Sequence, residues 1–488
     1  MARRLVVSGT LVLLALAGTA GAFFLRSRRE VTTSSTEAFR HYLTGRENEQ
    51  KLYEPEAISA YAEALKYDPH FHSAAIRLEL LQHRAENERI KSLIASARRD
   101  ADSLTPRERL MIEILSATLD HDDAARERQV NEYIRRFPTD PDGYKERADY
   151  LMKDGKPDEA IAAYQQLLSI DPNYAIAYNN LGYYAMGKSN FAKAEDYLKR
   201  YQYLAPDQAN PYDSLGELYA NVGRYDDAEA SLKKALEIKP NFAPSWAHLG
   251  TVQVGRGNLV AAAEDFRRAV ELTESVQLKF QWSMAHASAL LAAGKPEEAW
   301  AQMERLDASF RSRLEGQAPM WQTRLAFRRA IFATLTNRLD TARESLRAFN
   351  DSVAKMRPYD QKEWTKNVGV ARALLARAEG RHDEAVVDFR DVVSEKKPSM
   401  GGFDYFPDRE YTRMAYAESL VALGRKSEAE DVLRPILSRN PKFEPALQLV
   451  SRLGLSAPEV IAHASPAPPP PAHAIQIPSG SQPGASAR

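Results

Sequence analysis

The feature that most constrains the fold of this chain is a regular spacing of prolines. Pro138, Pro172, Pro206 and Pro240 follow one another at intervals of 34 residues. Proline lacks a backbone donor and restricts the residue before it, so it stops a helix at the same point of each interval. A period of this length is typical of arrays that stack one supersecondary unit many times. The sequence therefore predicts a repeat array instead of about three independent globular domains.

Other residues recur in phase with the prolines. Each interval contains two runs of apolar residues spaced three and four apart, which is helical periodicity. A turn separates the runs, as at Val222-Gly223-Arg224. Each unit is therefore predicted to be a pair of helices, and one pair cannot bury its apolar face without a neighbour. The predicted packing residues of the best units are Tyr178, Leu181, Gly182, Tyr212, Leu215, Gly216, Tyr219, Trp246, Leu249 and Gly250.

This pattern resembles the tetratricopeptide repeat (TPR) family, in which W-x2-L-G-x2-Y, then A-x3-F, then a closing proline recur over 34 residues. The match is strongest over residues 141–274. Weaker units extend the pattern in both directions, so we predict an N-terminal TPR array over residues 36–275 and a degenerate C-terminal TPR array over 276–455. About eleven units fit this span. The resemblance implies an all-α fold, a right-handed α-solenoid of stacked helix pairs.

An apolar stretch near the N-terminus is long enough to cross a membrane. It begins at Leu5, ends at Leu25, contains no charge and has arginines on both sides. As a helix it would be about 31 Å long, which matches a bilayer core of about 30 Å. Residues 1–29 are therefore predicted to be a single-pass membrane anchor. A cleaved secretory signal is the alternative, because Ala20-Gly21-Ala22 fits a cleavage site.

The charges that flank the apolar stretch bear on which side of the membrane the body lies. Arginines on the two flanks of the apolar stretch nearly balance, so the positive-inside rule separates the two orientations only weakly. We expect a cytoplasmic N-terminus and a periplasmic or other extracytoplasmic body, and a cytoplasmic body is the alternative.

The last part of the sequence differs in composition from the repeats. Residues 456–488 are poor in large apolar residues, and 466–471 read Pro-Ala-Pro-Pro-Pro-Pro. Such a composition cannot form a packed core and favours polyproline II. Residues 456–488 are therefore predicted to be a disordered tail.

Charge and cysteine content exclude several functions. The chain carries 66 Lys+Arg and 66 Asp+Glu, so no basic excess indicates a nucleic-acid partner. It has no cysteine, which excludes disulfides, thiolate metal sites and cysteine nucleophiles. Phosphate-binding glycine loops, G-x-S-x-G and H-E-x-x-H are also absent from the sequence. We therefore predict no catalytic residue, no metal and no cofactor.

The TPR resemblance also implies where a partner binds. In such proteins the second, fifth, ninth, twelfth and thirteenth positions of the first helix line a concave groove that holds a peptide. Carried onto this sequence, these positions predict the groove residues Lys145, Asp149, Asn179, Tyr183, Met186, Asp213, Glu217, Asn221 and Thr251. Acidic residues stand where carboxylate-clamping TPR proteins carry Lys, Arg or Asn. A basic or apolar segment is therefore the expected ligand.

Together these features predict a non-enzymatic, membrane-anchored scaffold that binds protein or peptide partners in its groove and assembles or recruits a complex. The alternative from another class is a helical-repeat enzyme or enzyme subunit that acts in the cell envelope. A secreted soluble binder is the third possibility, and it requires that the N-terminal segment be cleaved.

Overall fold

The computed structural model describes residues 31–82, 87–273, 275–313, 319–356, 358–393 and 410–456. Within these ranges every regular element is helical: there are 23 α-helices, a short 3-10 helix at Ala101–Ser103 and no strand. None of these helices is both long enough and apolar enough to cross a bilayer. The predicted anchor between Leu5 and Leu25, and the predicted tail beyond residue 456, lie outside the described ranges.

The helices form eleven successive pairs, which we call units 1–11, and a single closing helix. The first six units are α1 (Thr36–Gln50) with α2 (Glu54–Tyr67), α3 (His72–Gln82) with α4 (Asn87–Arg99), α5 (Pro106–Leu119) with α6 (Asp123–Arg136), α7 (Pro141–Lys153) with α8 (Pro157–Ile170), α9 (Ala175–Gly187) with α10 (Phe191–Leu204), and α11 (Ala209–Asn221) with α12 (Tyr225–Ile238).

The remaining units are α13 (Ala243–Gly255) with α14 (Leu259–Leu272), α15 (Val276–Ala292) with α16 (Pro296–Arg313), α17 (Pro319–Leu335) with α18 (Leu339–Ala354), α19 (Pro358–Ala378) with α20 (His382–Val393), and α21 (Glu410–Ala422) with α22 (Lys426–Arg439), followed by the closing helix α23 (Glu444–Leu453). Contacts between helices are most extensive within pairs and between adjacent pairs. The all-helical repeat array predicted from the sequence is therefore confirmed.

Glycine in the first helix lets the two helices of a unit approach closely. A Cβ atom on Gly216 would lie 2.5 Å from Cγ of Leu232, and one on Gly250 would lie 2.9 Å from the ring of Phe266. Gly182 meets a leucine of its own unit in the same way. A side chain at these positions would push the helices apart, which explains why Leu-Gly recurs in the sequence.

A hydrogen bond links the aromatic residue at the fourth position of a unit to the proline that precedes the unit. The bonds run from Tyr144 to the carbonyl of Pro138, from Tyr178 to Pro172, from Tyr212 to Pro206 and from Trp246 to Pro240, at 3.1 to 3.2 Å. Proline keeps its carbonyl acceptor although it lacks a donor. The aromatic residue and the proline recur together because they bond to each other.

Both ends of the array fold back onto its middle. In unit 1, the hydroxyl of Tyr53 accepts a hydrogen bond from the backbone N–H of Ala209, the first residue of unit 6, at 3.1 Å. After unit 11, the side chain of Asn440 donates to the hydroxyl of Tyr225 in unit 6 at 2.9 Å. Units five apart therefore meet at both ends. About five units complete one superhelical turn, and the described array makes about two turns.

The largest apolar core joins the two predicted arrays. Its buried residues extend from Ala243 in unit 7 to Val450 in α23, so the core continues across the boundary predicted at residues 275 and 276. The two arrays were distinguished by how closely their sequences match the repeat pattern. Their division into two domains stays a prediction.

Candidate partner-binding groove

Charged side chains of units 1, 2 and 4 face one another inside the superhelix. An Nη atom of Arg46 in α1 lies 3.7 Å from a carboxylate oxygen of Asp142 in α7. Arg77 in α3 donates to both carboxylate oxygens of Glu49 at 3.0 and 2.9 Å. The side chains of these four residues are between 24% and 33% exposed. The groove is therefore narrow here and still open to water.

The acidic residues of this part of the groove remain ionised. Burial would raise the pKa of Glu49, but the charge of Arg77 and the hydrogen bond donated by Tyr61 hold that pKa below its usual value. Burial also opposes ionisation of Asp142, and the charge of Arg46 is the largest of those that lower its pKa. Nearby opposite charges favour the charged form in this way. The groove walls therefore present charges of both signs that are already paired.

Two of the predicted groove residues, Lys145 and Asp149, lie one helical turn apart in α7. The ammonium of Lys145 donates to one oxygen of Asp149 at 2.7 Å, and the hydroxyl of Tyr164 donates to the other at 2.6 Å. The two side chains are 33% and 38% exposed. A ligand can therefore reach this pair, although it has to compete with their mutual contact.

Two other predicted groove residues, Asp213 and Glu217, lie in a buried network instead. His248 of unit 7 has no exposed surface, and its Nδ1 lies 2.9 Å from a carboxylate oxygen of Asp213. Its Nε2 lies 3.5 Å from Oε2 of Glu217, which accepts a hydrogen bond from Tyr183 at 2.8 Å. Ser245 donates to Asp213 at 2.7 Å. The network thus joins the first helices of units 5, 6 and 7.

Burial and charge shift the pKa values of this network in defined directions. Burial raises the pKa of Glu217 to about 7, although His248 and Tyr183 oppose the shift. Burial alone would lower the pKa of His248, but the carboxylates of Asp213 and Glu217 outweigh it and raise that pKa to about 9. At neutral pH a buried imidazolium therefore lies between two carboxyl groups.

Within the described ranges, Oε1 of Glu217 has no hydrogen-bond partner. In the same ranges, no group of His, Cys, Asp or Glu side chains is arranged to hold a metal ion.

The nine predicted groove residues thus fall into two groups. Asn179, Asp213 and Glu217 are buried between units, where Asn179 accepts a hydrogen bond from Ser214 at 2.8 Å. The half-buried group consists of Lys145, Asp149, Tyr183, Met186, Asn221 and Thr251. Their binding of a partner stays a prediction.

Three residues of the groove and its buried network were not found from the sequence. Arg46 and Arg77 lie in units 1 and 2, where the repeat markers are weaker, so the groove positions were not carried over to them. His248 lies at the sixth position of its unit, which in this structure faces the preceding unit. The signal that could have found His248 is that it is the only ionisable residue of its helix and follows, one unit later, an acidic residue at the fifth position.

Models of the tetratricopeptide repeat match residues 145–209, 209–242 and 376–453. The chain is a tetratricopeptide repeat protein. The matches lie in both the strongly and the weakly patterned parts of the array. TPR proteins bind protein partners, so the assignment supports a protein-interaction scaffold.

Several solved structures are similar to this TPR protein. PilW, a widely conserved type IV pilus biogenesis factor, is 22% identical with a TM-score of 0.36, over 40% of this chain and 90% of that chain. The APC/C hetero-tetramer Cut9–Hcn1 is 17% identical with a TM-score of 0.46, over 90% and 81%. A TPR protein from Parabacteroides merdae is 16% identical with a TM-score of 0.39, over 64% and 98%. A comparison with curated proteins found no match.

Proposed function

We propose that this TPR protein is a non-enzymatic, membrane-anchored scaffold that holds a segment of a protein partner in its concave groove and so assembles or recruits a complex. The observation that supports the groove most directly is the approach of Arg46 in unit 1 to Asp142 in unit 4. Because first helices three units apart come this close, an extended segment lying in the groove beside this contact would meet protein on two sides. Recognition by such enclosure requires no catalytic residue.

The half-buried side chains of units 4 and 5 define the ligand that this groove would accept. Asp149 is more exposed than the lysine that pairs with it, and Tyr183 and Met186 add aromatic and apolar surface nearby along the array. A lysine or arginine of the partner would replace Lys145 at the carboxylate of Asp149 and keep a charge-assisted hydrogen bond there. The proposed ligand is therefore a segment with basic and apolar residues.

Affinity purification of the full-length chain from detergent-solubilised membranes tests the groove. Asp149→Lys removes the carboxylate that would bind the partner's basic residue and places a second ammonium beside Lys145, so we expect the co-purifying partner to decrease at least tenfold. Glu237→Lys is the matched control, because Glu237 also pairs with a lysine of its own helix, Lys234, but lies on the second helix of unit 6. Equal recovery of the partner with both variants, at equal amounts of folded protein, would rule out recognition by the groove.

The membrane anchor is the second part of the proposal and is supported by the uncharged stretch from Leu5 to Leu25. We expect the chain to remain in the membrane fraction after alkaline extraction and to keep its N-terminal residues. A mature N-terminus at Phe23 would show that the segment is a cleaved signal. A compartment-sensitive reporter fused to the C-terminus would test the extracytoplasmic location of the body.

A further inference from the structure

The second helices of units 5, 6 and 7 carry two adjacent basic residues at the same place of the repeat. Successive pairs are 34 residues apart, and the corresponding place in unit 4 holds two exposed glutamines, Gln165 and Gln166. Five of the six basic residues are exposed, and Arg267 is half-buried. The pairs are Lys199 with Arg200 in α10, Lys233 with Lys234 in α12, and Arg267 with Arg268 in α14.

The first residue of each pair is neutralised within its own helix. Lys199 pairs with Glu195 at 2.8 Å, and the corresponding Lys233 pairs with Glu229 at 2.6 Å. Arg267 pairs with two acids of α14. These three cations are therefore already compensated, and the charge that can attract a ligand belongs to the second residue of each pair.

The second residues of the pairs, Arg200, Lys234 and Arg268, form what we call the basic row. Among the residues that the structure describes, no carboxylate forms an ion pair with Arg200 or Arg268. Lys234 donates to Glu237 of its own helix at 2.9 Å. A carboxylate of a ligand would therefore meet two guanidinium groups without competition and would compete with one acid for the third cation.

Aromatic rings hold the two arginines of the basic row in place. The guanidinium carbon of Arg200 lies 5.0 Å from the ring centre of Tyr203 and 5.9 Å from that of Tyr178. The guanidinium carbon of Arg268 lies 5.8 Å from the ring centre of Trp246. Cations within about 6 Å of an aromatic ring face are attracted to it. Tyr178 and Trp246 are fixed by their hydrogen bonds to prolines, so binding would cost these arginines less conformational entropy.

The fold of a unit does not require a basic residue at this place. In unit 4, Gln166 stands where the row has a cation, yet Tyr144 makes the same hydrogen bond to the carbonyl of Pro138, at 3.1 Å. The aromatic residue and the helix pair therefore form without the cation. Packing does not explain why three consecutive units have one, whereas a ligand would.

We propose that the basic row binds an extended acidic segment of a partner protein. Carboxylates of such a segment would accept charge-assisted hydrogen bonds from the two arginines, which can donate two parallel bonds each. Clusters of arginine bind acidic motifs in this way. The chain's own residues 456–488 include one acid, Glu459, so they lack the carboxylates that the row would bind. The row takes a ligand of the opposite charge to that proposed for the groove and is independent of it.

The shape of the array favours a flexible polypeptide over a membrane surface as the ligand. The first helices line the groove, as Arg46 and Asp142 show, so the second helices with the basic row lie on the outside of the superhelix. With about five units per turn, neighbouring units differ in direction by about 72°, and Arg200 and Arg268 face about 144° apart. A flat lipid surface cannot meet both arginines at once, whereas an extended segment can follow the outside of the array.

Binding of a fluorescent peptide of alternating glutamate and serine to the full-length chain tests the proposal. The row variant introduces the residue that unit 4 has at this place, through Arg200→Gln, Lys234→Gln and Arg268→Gln. We expect its dissociation constant to be at least tenfold higher than that of the original chain. The control variant changes the net charge equally at three exposed cations that each pair with an acid three residues away, through Lys66→Gln, Lys295→Gln and Arg434→Gln. We expect it to bind like the original chain.

No binding of the peptide to the original chain would overturn the proposal. Equal weakening in the row and control variants would also overturn it, because the total charge would then explain the binding. Gln166→Arg extends the row into unit 4, where the ring of Tyr144 is already in place, and should lower the dissociation constant at least threefold. An unchanged constant would contradict recognition by the row.

Single-stranded RNA and micelles of a short-chain phosphatidylserine serve as probes for other anionic ligands. We expect both to bind more weakly than the peptide and with little difference between the row and control variants. Loss of RNA or lipid binding in the row variant alone, with peptide binding unchanged, would show that the row recognises phosphate groups and would overturn the proposal of an acidic polypeptide.

Discussion

The side-chain nitrogen of Asn440 lies 2.9 Å from the hydroxyl oxygen of Tyr225, although 215 residues separate the two in the chain. Both side chains are buried, and the carbonyl of Ala220 lies 3.5 Å from the same nitrogen. The carboxamide oxygen of Asn440 faces Gly223, in the turn of unit 6, where a Cβ atom would lie only 2.5 Å away. The end of unit 11 is therefore packed into the turn of unit 6.

Gly223→Ala should weaken the contact between units 6 and 11. Gly155→Ala is a matched control, because Gly155 and Gly223 occupy the same turn of their units with φ of +73° and +77°. Alanine is strained at both positions, by about 1 to 2 kcal/mol, but a Cβ atom on Gly155 would have no neighbour within 4 Å. We expect the Gly223 variant to lose about 1 to 2 kcal/mol more unfolding free energy. Equal losses in urea denaturation would show that the contact adds no stability.

Gly216→Ala should destabilise the protein although alanine favours helix over glycine by about 1 kcal/mol. The added Cβ atom would lie 2.5 Å from Leu232, and overpacking of this kind costs about 1 to 3 kcal/mol. Gly369→Ala in α19 is the control, because its one close neighbour, Val392, would lie 3.1 Å away. We expect a lower melting temperature for the first variant and an unchanged or higher one for the second. The reverse order would contradict the role given to glycine within a unit.

The network of Glu217 and His248 should make stability depend on pH. Both groups have a pKa raised by folding, to about 7 and about 9, so the folded chain binds more protons than the unfolded one. The contribution of Glu217 to the unfolding free energy is complete below the pKa that Glu217 has in the unfolded chain, and it is lost as pH rises through 7. The contribution of His248 is lost as pH rises from about 6.5 through 9. We expect the melting temperature to fall between pH 5 and pH 9.

Glu217→Gln is the control for this pH dependence. Glutamine cannot ionise, so the part of the decline between pH 5 and pH 7 should become shallower, with a difference on the order of 1 to 3 kcal/mol in unfolding free energy. The amide can still accept the hydrogen bond from Tyr183. A variant whose melting temperature followed that of the original chain throughout this range would show that Glu217 does not titrate there.

Tyr53→Ala should detach unit 1 from the middle of the array. Tyr53 accepts a hydrogen bond from Ala209, meets the ring of Phe242 at 6.0 Å and lies under the ammonium of Lys239 at 4.2 Å. We expect at least tenfold faster hydrogen exchange at the start of α11 and a loss of about 2 to 4 kcal/mol. Tyr67→Ala is the control, because Tyr67 ends α2 with half of its surface exposed, and its effect should stay within about 0.5 kcal/mol. Similar exchange at α11 in both variants would contradict the docking role of Tyr53.

The sequence by itself determined the repeating helix pair. Its evidence was the period of the prolines and the residues in phase with them, and the structure explains each marker by a short-range contact. Gly216 meets Leu232 within one unit, and Tyr212 bonds to Pro206 just before it. Such contacts recur in successive units, so they leave a period that can be read without a structure.

The groove could be predicted only in part. Its positions on the first helices followed from the TPR resemblance, but the burial of Asp213 and Glu217 depends on His248 of the next unit. His248 does not stand at one of the positions that define the repeat pattern, so the pattern did not predict its contact with the two acids. Lys145 and Asp149 stay accessible because no such residue covers them.

Only the tertiary structure decided which distant units touch. Tyr53 reaches Ala209 and Asn440 reaches Tyr225 because the small rotation between neighbouring units adds up, over about five units, to a full superhelical turn. The sequence of a single unit does not specify this accumulated rotation. The residues that make the distant contacts also do not stand out from the repeat pattern in the sequence. The sequence therefore determined the unit and its stacking, whereas the accumulated rotation decided that the two ends close onto the middle.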